Sequence, residues 1–114
     1  MADVIFLEYQ SNFGAVNIQV EAGDGSISND VEASIRDLLV ERGLQEEDFD
    51  VKRSMDSCFS ITLSGSRVKV NRPMVLQAVM KKPGFVIQTS SVYYNMDAGY
   101  TGYSWTLVRN VTRL

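Results

Sequence analysis

Histidine is absent from the 114 residues, and cysteine occurs once. The first absence removes the commonest general acid–base and the commonest metal ligand. Ser-His-Asp and Cys-His hydrolysis and histidine-containing zinc sites are therefore excluded. The second excludes an intrachain disulfide, a Cys-x-x-Cys redox pair and any multi-cysteine cluster. No apolar run approaches the roughly 18 residues that cross a bilayer. The start, Met1-Ala2-Asp3-Val4-Ile5-Phe6, lacks the basic segment of a secretory leader. The expectation is a cytoplasmic, non-membrane protein that is not an enzyme and carries neither cofactor nor metal.

What is present suits a folded domain. The chain is 45% hydrophobic and 22% charged, outside the range of disordered chains. Residues 1–114 are expected to form a single globular α+β domain with one core. No low-complexity segment or linker interrupts it.

Residues 4–9 are short, apolar and aromatic and read as a buried strand. Ser11-Asn12-Phe13-Gly14 turns the chain, and residues 15–22 alternate, with Val16, Ile18 and Val20 against Asn17, Gln19 and Glu21. A helix follows, capped by Ser28 or by Asn29 with Glu32 three positions later. Val31, Ile35, Leu38 and Leu39 form its apolar stripe, and Gly43 with Leu44 supplies a Schellman stop. Phe49, Val51 and Met55 mark a third strand. Residues 58–64 mark a fourth, with Cys58 opposite in facing to Phe59, Ile61 and Leu63. A turn at 65–67 and a short extension at 68–70 lead to a second helix. Asn71 caps it, Pro73 sits in its first turn, and Pro83-Gly84 stops it. Residues 85–95 and 100–112 pair around Met96-Asp97-Ala98-Gly99.

The sum is ββαββαββ, a largely antiparallel sheet with two helices packed on one face. Both helices follow a strand pair and end at a glycine, but residue matches do not establish a duplication.

Charge is segregated along the chain. Residues 21–56 hold eleven acids against four bases, net −7; residues 57–114 hold one acid against seven bases, net +6. If folding keeps the poles apart, each can steer a complementary partner; otherwise they neutralise each other. Glu46, Glu47 and Asp48 form the densest acidic run, and Lys81 with Lys82 the basic counterpart.

Tyr93, Tyr94, Tyr100, Tyr103 and Trp105 crowd around the last turn. Successive strand residues face opposite sides, so Tyr93 and Tyr94 do not both enter one core. Surplus rings serve either as cross-strand pairs on an exposed sheet or as interface anchors. Other motifs lack essential parts. Gly23-Asp24-Gly25 has no third glycine, and Asn95-Met96-Asp97-Ala98-Gly99 lacks the distal glutamate of a calcium loop. Asn110-Val111-Thr112 fits a glycosylation sequon without a secretory context. Asp48 and Asp50 would share a strand face as solvated charges.

The residues support two readings of different class. The first is a non-catalytic protein-binding chain (a small inhibitor, adaptor or accessory subunit) that covers another protein's surface. Small viral or mobile-element inhibitors share this profile by analogy. Its anchors are Tyr94, Tyr100, Tyr103 and Trp105, steered by Glu46, Glu47 and Asp48 or by Lys81 and Lys82. A homodimer through an open sheet edge is compatible with it. The second is a nucleotide or single-stranded nucleic-acid binder using the same hairpin with Arg67, Lys69, Arg72 and Arg109. The acidic net charge of −3 makes nucleic acid the lesser choice.

Overall fold

Alternation of apolar and polar side chains builds the sheet. In the computed structural model, which describes residues 2–12, 14–64 and 70–110, strand β1 (Ala2–Asn12) buries Ile5, Leu7 and Tyr9. Strand β2 (Ala15–Ala22) buries Val16, Ile18, Val20 and Ala22, and strand β4 (Cys58–Ser64) buries Phe59, Ile61 and Leu63. With a period of two, each set lies on one face. Register then aligns the sets, with Leu7 opposite Val20 on one side and Trp105 on the other.

The sheet order is β3 (Phe49–Met55), β4, β2, β1, β6 (Tyr100–Asn110), β5 (Val86–Asn95), with every neighbouring pair antiparallel. Helices α1 (Gly25–Glu41) and α2 (Arg72–Val79) cover the face carrying these apolar sets. Val31, Ile35 and Leu39 of α1 and Val75 and Val79 of α2 close one buried cluster with them. This is the expected α+β fold in ββαββαββ order. No helix among the described residues is long and apolar enough to cross a membrane.

The start of α1 differs from the expectation by about one turn. Asp24, not Ser28 or Asn29, is the cap; its carboxylate accepts the Ile27 N–H at 2.9 Å. Ile27 explains the shift, because it extends the Val31–Ile35 stripe by one i,i+4 step and is itself buried. Ser28 lies fully buried within the helix and accepts a hydrogen bond from Arg53 at 3.1 Å.

The other end of α1 follows the expected stop. Gly43 has φ +85°, its N–H donates to Val40 C=O, and the Leu44 N–H reaches Leu39 C=O at 3.0 Å. Asn71 caps α2 through the Met74 N–H at 3.1 Å. Met55, read as an inward marker of β3, is exposed instead, because a register shift between Arg53 and Met55 breaks the alternation. The turn at 65–67, most of the extension at 68–70 and the end of the last strand fall outside the described residues.

Candidate protein-binding edge and groove

Strand β5 ends the sheet, and eight of its ten residues are exposed. Its sequence, Val86-Ile87-Gln88-Thr89-Ser90-Ser91-Val92-Tyr93-Tyr94-Asn95, contains no charge, proline or glycine. The opposite edge is different: β3 carries Asp50, Lys52 and Arg53. Charged residues on an edge discourage pairing with another chain, and a bulge does so locally. On β5 the only such device is a register shift between Ile87 and Thr89, which leaves residues 89–95 in regular pairing with β6.

The two faces of β5 are used differently. On the open face, Tyr93 lies across β6 over Gly102 and reaches β1, where its hydroxyl donates to the Glu8 carboxylate and accepts from Gln10 at 2.8 Å. A Cβ on Gly102 would overlap the Tyr93 ring. Glycine here is the residue that permits a close cross-strand approach. Tyr100 meets Tyr93 edge-on at 6.1 Å.

On the helix face, Ser90, Val92 and Tyr94 stand opposite Trp105, Tyr103 and Thr101. Tyr103 stacks on Trp105 with centroids 6.4 Å apart and planes at 16°, and tilts against Tyr9 on its other side. Arg72, at the first position of α2, lies 4.1 Å above the Tyr103 ring. The Tyr9 hydroxyl donates to Val70 C=O at 3.2 Å and so ties the approach to α2 onto the sheet. Between α2 and the β5–β6 ribbon runs a groove of about 320 Å³, lined by Arg72, Leu76, Ser90, Val92, Tyr103 and Trp105.

The sequence-derived anchors therefore divide. Tyr103 and Trp105 are half-buried and form the groove floor; Tyr94 stands exposed on the same face; Tyr100 lies on the opposite face. The steering residues do not join them. Glu46, Glu47 and Asp48 form a 3₁₀ turn leading into β3, at the far edge of the sheet. Glu46 is held by Arg36 at 3.3 Å, and Asp48 accepts the Gln45 N–H at 2.7 Å. Lys82 is paired with Asp30 on α1, while Lys81 is exposed.

The charge poles are partly neutralised. Asp30–Lys82 joins the two halves, and Arg36 and Arg53 both bind Glu32 within the acidic segment at 3.0 Å. Of the cations in the nucleic-acid reading, Arg109 is bound to Asp3 at 2.6 Å and lies over Phe85, and Arg72 rests on Tyr103. Arg67 and Lys69 fall outside the described residues.

Ile87, Val92 and Leu76, which the ring count overlooked, belong to this surface. The signal for β5 was present in the sequence as a ten-residue stretch without charge. A second concavity, about 640 Å³, lies on the open face between Phe6, Glu8, Glu21, Lys52, Cys58 and Thr106. Its lining mixes acids, bases and apolar side chains, and of the anchors it includes Trp105 alone.

Tyr9 and Tyr93 hold their protons above the usual tyrosine value of about 10. Burial is the main cause in both; the Tyr103 phenol adds to it at Tyr9, and the Glu8 carboxylate at Tyr93. A raised folded-state value contributes stability that is complete below about pH 10 and lost as pH climbs through the folded values. Urea unfolding between pH 8 and pH 12 should show stability falling above about pH 10. The Tyr9→Phe/Tyr93→Phe variant should fall less steeply; parallel curves would refute the assignment.

No protein-family model matches the chain, and no curated protein matches it in sequence. Among solved structures, the chain is similar to the crystal structure of a conserved kinetoplastid-specific protein from Trypanosoma cruzi. The TM-score is 0.57 with 9% identity, over 96% of this chain and 98% of that one. At that identity the likeness shows a shared fold and nothing further.

Proposed function

We propose that the protein is a non-catalytic protein-binding chain, of the inhibitor, adaptor or accessory-subunit kind, that covers a partner through the β5 edge and the adjoining groove. The observation that carries this reading is the ten-residue uncharged edge strand beside a groove floored by Tyr103 and Trp105. An open edge offers main-chain donors and acceptors to an incoming strand, and a neighbouring groove accepts its alternate side chains. Trp, Tyr and Arg are the residue types that most often dominate binding energy, and Trp105, Tyr103 and Arg72 meet there.

Trp105 is the single tryptophan and lines the groove, so its fluorescence reports occupancy directly. The probe is a synthetic peptide copying residues 88–96, with two terminal lysines for solubility. Saturable change in Trp105 emission is expected, altering less than about threefold in affinity between 50 and 500 mM salt, because few charges meet. Val92→Lys should abolish it. An oligo-dT probe that binds instead, with affinity falling steeply in salt, would replace this reading by the nucleic-acid one.

A further inference from the structure

We infer that the strand received by the β5 edge is β5 of a second copy, paired antiparallel about a two-fold axis at Val92, with Tyr94 of each copy seated beside the groove of the other. The inference rests on the protein-binding reading above and names its partner.

The argument starts from the regular part of the strand. The register shift ends at Thr89, so residues 89–95 are the stretch free to pair outward without interruption. An antiparallel pair related by a two-fold axis places residue i opposite a residue whose number makes a constant sum with it. Centring the axis on Val92 uses the whole regular stretch: Val92 meets its own copy, Ser91 meets Tyr93, Ser90 meets Tyr94, and Thr89 meets Asn95. Residues directly opposite in an antiparallel pair share a face. Helix face therefore continues helix face, and α2 of both copies lies on the same side of a twelve-stranded sheet.

The side chains fit this register. On the helix face, Tyr94 is 64% exposed and lacks a cover in one copy; Ser90, its opposite number, is small and lines the 320 Å³ groove. A large exposed ring is thus set against a small residue at the mouth of a cavity, and the two-fold axis repeats the match. Val92, 67% exposed, loses its solvent contact against Val92 of the partner. Charge raises no barrier, since two chains of net −3 meet along strands that carry none. The other edge lacks this property, because β3 is short, carries Asp50, Lys52 and Arg53 along it, and is interrupted by a register shift between Arg53 and Met55.

A seven-residue pairing spans only about 24 Å, so the dimer is modest in size and its dissociation constant is expected in the micromolar range. Sedimentation of the full chain from 1 to 500 µM tests it. The expected result is a concentration-dependent dimer for the wild type and a monomer for Val92→Lys, with unchanged circular dichroism. Val92→Lys puts two ammonium groups on the axis while altering only an exposed position. Register is read in a Cys58→Ser background. Val92→Cys should cross-link to its own copy under mild oxidation, because Cα atoms opposite each other lie about 4.5–5.5 Å apart, within disulfide reach. Val51→Cys, on the far edge, should not.

A wild-type monomer at 500 µM overturns the inference, as does a dimer that survives Val92→Lys or fails to cross-link at position 92. If the monomer still binds the 88–96 peptide through Trp105, the edge reading stands and its occupant is another protein. If it binds neither, both fail.

Discussion

Replacing Gly102 by valine, a residue with far higher strand propensity, should destabilise the protein by about 2–4 kcal/mol. In the sheet, β6 passes beneath the Tyr93 ring at Gly102, and any Cβ there displaces the ring. Displacement removes the hydroxyl from Glu8 and Gln10, so the half-buried Glu8 carboxylate loses the phenol and retains the Gln10 amide as a donor. Hydrogen bonds to a charged group are among the more valuable, at about 1.5–3 kcal/mol. Thermal unfolding should report a fall on the order of 8–16 °C, and the cycle with Tyr93→Ala should be strongly non-additive. A neutral or stabilising Gly102→Val would show that the ring does not lie over the glycine.

Tyr103→Ala and Tyr94→Ala should separate two rings that look equivalent in sequence. Tyr103 packs between Tyr9 and Trp105 with Arg72 above it, so its truncation should cost about 2–3 kcal/mol and red-shift Trp105 emission. Tyr94 is exposed, and its truncation should change stability by less than about 0.5 kcal/mol. Both are measured by urea unfolding below 1 µM protein, where the monomer is read. Equal effects would mean that the hairpin does not divide as described. The comparison also sets a rule for interface experiments: loss of binding on Tyr103→Ala confounds unfolding with contact, whereas loss on Tyr94→Ala does not.

Much of the local structure was legible. Val16, Ile18 and Val20 alternate with polar residues because a half-buried strand needs two unlike faces, and that pattern is carried by neighbours in sequence. Gly43 and Leu44 mark the end of α1 because its last carbonyls need donors that a left-handed residue brings into range. The cap at Asp24 was missed because Ser28 and Asn29 are equally good caps in isolation. What chose between them was burial of Ile27, a long-range property.

The candidate site was legible only in its parts. Five rings near one turn signalled a surface, yet Tyr93 is spent on a cross-sheet tether and Tyr103 on the core margin. The acidic run and the aromatic hairpin lie at opposite edges because β1 and β2 separate β6 from β4, an arrangement no local pattern encodes. The pairing of Lys82 with Asp30, distant in sequence, likewise cancels charges that the linear count held apart.

By itself the sequence determined the element order, the inward sets of β2 and β4 and the absence of histidine chemistry, since these depend on residue type and near spacing. Tertiary structure alone decided that β1 is central, that β5 is left uncovered at an edge, and that Arg72, Tyr103 and Trp105 share one groove. Strand order is set by which apolar faces can be buried together, and that sum runs over the whole chain. An uncharged stretch is unremarkable within a sheet and consequential only at its rim.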